Sequence, residues 1–108
     1  MTAGPCKYLA PRRYVPQELK GALVGNLDES ASLAIAYMIR RRIDEKARPR
    51  RVVFVDVDLC VYAARPDTAS ADLFIAMHPH LFVGTYDRSS DVHQIAADLE
   101  QQRREMLT

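Results

Sequence analysis

Two short runs carry most of the chemistry this sequence offers: Asp56-Val57-Asp58 and His78-Pro79-His80. Two residues apart on an extended chain, both side chains of a pair leave the same face. Two carboxylates so placed hold a cation, raise one pKa, or sit in water. Two imidazoles so placed are a common metal-ligand arrangement. Suppose residues 52–63 and 73–83 form one antiparallel hairpin centred on Thr68. Asp56 then faces His80, Asp58 faces His78, Phe54 faces Phe82 and Tyr62 faces Phe74. That register predicts a site for zinc or a similar cation made of Asp56, Asp58, His78 and His80, within an aromatic frame. Pro79 opposes it, because a paired strand tolerates proline only at an edge or bulge. With His78-Pro79-His80 as a turn, the site disappears.

The run Phe54-Val55-Asp56-Val57-Asp58 resembles the first motif of the haloacid dehalogenase-like phosphatases, in which a strand ends in Asp-x-Asp. The resemblance implies that Asp56 is a phosphoryl-accepting nucleophile and Asp58 an acid/base, with magnesium held nearby. Phe82-Val83-Gly84 with Asp87-x-x-x-Asp91 is similar to the family's later acidic motif. The chain departs from the pattern at Leu59-Cys60, where the family has a small residue and then threonine. Its 108 residues are also fewer than that family's core of five parallel strands needs.

A third group is basic: Arg40, Arg41, Arg42, Lys46, Arg48, Arg50 and Arg51. As a surface it would bind phosphates of nucleic acid. As structure it is a helix end with charges that suit the dipole, followed by a solvated loop. No helix-turn-helix pair, aromatic RNA-binding strand or zinc knuckle accompanies it. The serines lack the strand-turn context of a nucleophile elbow. The four glycines are too scattered for a phosphate loop. No cofactor is expected.

These residues need elements to position them. Residues 1–16 read as an irregular arm, since Pro5, Pro11 and Pro16 each remove a backbone donor. Residues 17–24 have the pattern of a short helix. The clearest helix runs over about 29–46, with Asp28 as its cap and a wide apolar stripe that includes Ile35, Ile39 and Ile43. From Arg51 to Ala63 valines alternate with other residues, the signature of a strand. Val53, Val55, Val57, Leu59 and Val61 point one way, and Phe54, Asp56, Asp58, Cys60 and Tyr62 the other. Residues 73–77 and 81–86 read as two further strands of a three-stranded meander. The alternatives are one long strand over 73–84 or a short helix over 68–77 capped by Asp67. The last helix spans about 91–107, with Ser90 as its candidate cap.

The composition bounds the rest. A chain of 108 residues is about one domain. No stretch approaches the roughly 20 apolar residues that span a bilayer, and the N-terminal sequence lacks a signal peptide's apolar segment. A cytoplasmic protein with reduced Cys6 and Cys60 is therefore expected. The net charge of +1 is the sum of +6 through Arg51 (eleven Lys or Arg, five Asp or Glu) and −5 beyond it (four and nine). The sequence thus predicts an α+β domain over 1–108, two-layered, with an antiparallel sheet of about three strands and two main helices on one face. The other sheet face, with Phe54, Asp56, Asp58 and Tyr62, stays partly open. Together with Asp87 it would meet a basic surface on a protein partner. The leading expectation is a non-enzymatic binding protein of the inhibitor, immunity-type or regulatory-adaptor kind. Behind it stand a metal-dependent hydrolase or phosphatase and a nucleic-acid binder.

Overall fold

The computed structural model of the chain describes residues 21–44, 50–66 and 69–108. Among these residues are four strands: β1 (Leu23–Asn26), β2 (Arg50–Val55), β3 (Cys60–Ala64) and β4 (Phe82–Asp87). The helices among the described residues are α1 (Ser32–Asp44), α2 (Ala69–Met77) and α3 (Val92–Leu107), and a 3-10 turn at Pro79–Leu81 leads into β4. The strands form one antiparallel sheet in the order β1-β3-β2-β4. The fold is α+β, with four strands instead of three. The arm over 1–16, and most of the helix expected over 17–24, lie outside the described residues. The described end of that segment is β1.

The segment expected as one strand over 51–63 is a hairpin. β2 and β3 pair in register, Phe54 with Tyr62 and Val55 with Val61, and residues 56–59 make the turn between them. The segment over 73–77 is helical, which was the alternative reading. Residues 82–87 do pair with β2, and Phe54 does face Phe82. A bulge between Val53 and Phe54 then shifts the register, so that Val53 faces Gly84.

The connections explain where the helices lie. β1 and β2 run parallel with β3 between them, and α1 joins them. β3 and β4 run parallel with β2 between them, and α2 joins them. Both crossovers step the same way across the sheet, but on strands of opposite direction. The same hand of crossover therefore puts α1 and α2 on opposite faces. The packing agrees. Ile35, Ala36, Ile39 and Ile43 of α1, with Ile95 and Leu99 of α3, pack on Val53, Val55, Val61 and Ala63. Ala71 and Phe74 of α2, with Leu81, pack on Val52, Phe54, Tyr62 and Ala64. Two main helices thus share one face as expected, but the opposite face is covered by α2. The sheet is buried on both sides, which is why β2 is continuously apolar over its last four residues, 52–55. Each buried Ile, Leu or Phe contributes about 1.5–3 kcal/mol relative to exposure.

Close approach of α1 to the sheet depends on Gly25, where an added Cβ would lie 2.6 Å from Ile35 Cδ1. The start of α1 differs from expectation. Asp28 is not the cap: the N–H groups of Glu29 and Ser30 bond the Asn26 carbonyl, and a turn intervenes before the helix begins at Ser32. At α3, Asp91 holds the cap position, and Ser90 Oγ instead accepts from the Asp87 N–H at 3.0 Å.

Candidate functional site

The two aspartates sit in the β2–β3 turn, not on a strand face. Asp56 is 2% exposed. Its Oδ1 accepts from the backbone N–H groups of Asp58 (2.9 Å) and Cys60 (3.0 Å), and Tyr62 Oη donates to its Oδ2 (3.3 Å). The carboxylate thus replaces backbone partners that the turn cannot supply. Leu59 completes the turn at φ 66°, a left-handed conformation that most side chains avoid. Asn26, at the end of β1, clamps the turn from the side. Its Nδ2 donates to the Asp58 carbonyl at 3.0 Å, and its Oδ1 accepts from the Asp28 N–H at 2.8 Å. Burial pushes the Asp56 pKa upward more than its backbone hydrogen bonds lower it.

This geometry is not the one on which the metal-site and phosphatase expectations rest. His78 precedes the 3-10 turn after α2, and His80 lies within it. His78 is half-buried, its ring 4.9 Å from Phe74, and the two imidazoles are 6.1 Å apart edge to face. Among the described residues, no three or more His, Cys, Asp or Glu come together in a group that could hold a metal. The Asp-x-Asp run ends no parallel strand, since every ladder of the sheet is antiparallel. Asp56 Oδ1 accepts two backbone N–H groups of its own turn and Oδ2 the Tyr62 hydroxyl, with the residue 2% exposed.

The expected open face is also closed. Phe54 is 1% exposed and meets Phe74 of α2 edge to face, with ring centroids 4.8 Å apart. Tyr62 is buried as well. Asp87 pairs across from Arg50, at the end of the sheet away from the turn that carries Asp58. Its carboxylate accepts from the N–H and hydroxyl of Ser89, which holds its pKa below the ordinary value. The five residues expected to bind a partner therefore share no surface.

The arginines are largely occupied. Arg40 donates to the carbonyls of Ser90 (2.7 Å) and Arg88 (2.9 Å), strapping the turn before α3. Arg42 donates to the Leu23 carbonyl (2.8 Å) and covers the outer edge of β1. Arg51 is 4% exposed. Arg41 and Arg50 face solvent, while Lys46 and Arg48 lie outside the described residues. Cys60 is disulfide-bonded instead of carrying the reduced thiol expected.

What sequence reasoning missed is the outward side of α1. Leu33, Tyr37 and Met38 are 40%, 54% and 43% exposed, with Ala34 and Arg41 among them. At 3.6 residues per turn these five positions form one stripe opposite Ile35, Ile39 and Ile43. The neighbouring α3 buries its own apolar side equally well, but turns Gln94, Gln101, Arg104 and Glu105 outward. The signal was legible: the apolar stripe of α1 is wider than one buried face requires. Between the two helices an open groove of ≈ 550 Å³ is lined by Tyr37, Arg40, Arg41, Asp44 and Val92. No helix among the described residues is long and apolar enough to cross a membrane. No family model matches the chain, and comparison with curated proteins and with solved structures gives no match either.

Proposed function

We propose that this is a small protein that acts by binding another protein, as an inhibitor, immunity-type protein or regulatory adaptor, and that α1 is its binding face. The observation that carries the reading is the contrast between neighbouring helices. Both serve the same core, yet α1 turns Leu33, Tyr37 and Met38 to solvent along its length, whereas the large apolar side chain that α3 exposes is Leu107, at its last residue. Tyr, Met and Arg are enriched at protein interfaces, and Tyr and Arg often dominate their energetics. The groove beside Tyr37 adds concave shape, and the Arg41 guanidinium at its rim suits an acidic group on the partner. The disulfide at Cys60 argues for an oxidising setting, since the cytoplasm keeps thiols reduced.

The test compares wild-type protein with a Tyr37→Glu variant, each immobilised and exposed to native extract under cross-linking. A specific protein retained by the wild type and lost from the variant is the expected result. Equal retention by both would move the binding face off α1.

A further inference from the structure

We draw no further inference here: the strongest candidate, the exposed apolar stripe of α1 formed by Leu33, Tyr37 and Met38 with the groove it shares with α3, belongs to the binding face already described, and nothing in the structure shows what covers it.

Discussion

At the scale of single residues, Asp56 decides whether the β2–β3 turn forms. Replacing it with alanine leaves the N–H groups of Asp58 and Cys60 without their acceptor. That change should cost about 2–3 kcal/mol in urea unfolding. Asp56→Asn keeps an oxygen at Oδ1 and places an amide donor toward Tyr62 Oη, so its cost should stay below about 1 kcal/mol. The pH dependence separates the two forms further. A carboxyl with its pKa raised on folding binds its proton more tightly in the folded state. Its contribution is complete below the unfolded carboxylate range and is lost as pH rises through the folded value. Wild type should therefore gain stability relative to Asp56→Asn as pH falls into that range, and denaturant midpoints at several pH values would show a flat difference if the carboxyl is not raised. The sequence displayed both aspartates but concealed their role. Asp-Val-Asp continues the alternation of Val53, Val55, Val57 and Val61 without a glycine or proline to mark a turn. The break is made by a side chain satisfying backbone groups and by Leu59 at positive φ, neither of which leaves a trace in hydropathy.

At the scale of elements, α1 and β1 meet where a glycine faces a fully buried isoleucine. Gly25→Ala sets its new Cβ 2.6 Å from Ile35 Cδ1, the tip of a fully buried side chain, which must shift to admit it. Overpacking of this kind costs about 1–3 kcal/mol. Ile35→Val removes that same Cδ1 carbon, so the double variant should be less destabilised than the sum of the two single changes. Additive thermal shifts would show that the contact is not what limits the approach. Helices α1 and α3 were legible because long apolar periodicity is hard to produce by chance. Helix α2 was not. In its run Leu73-Phe74-Ile75-Ala76-Met77 the apolar residues are continuous, so neither a period of two nor one of 3.6 stands out. Once α2 is helical, Phe74 must cover Phe54, and the expected open face is lost with it.

At the scale of the whole molecule, the α+β class and the pair of helices on one face were readable from the pattern of elements, while the sheet order was not. Nothing local in the sequence says that each crossover should straddle a strand belonging to the other. The charge asymmetry between halves was also visible, and folding interleaves it: Arg50 lies across from Asp87, and Arg40 holds the turn that carries Arg88 and Ser90. The order β1-β3-β2-β4 means that each described ladder joins a strand before the turn at 56–59 to a strand after it. Severing the backbone at Val57 would leave two peptides, neither holding a hydrogen-bonded strand pair from this sheet. Mixed under reducing conditions, because Cys60 is disulfide-bonded, they should rebuild it as a non-covalent heterodimer. The first peptide is net basic and the second net acidic, so added salt should weaken that reassembly. Each peptide alone should give the circular dichroism of an unfolded chain.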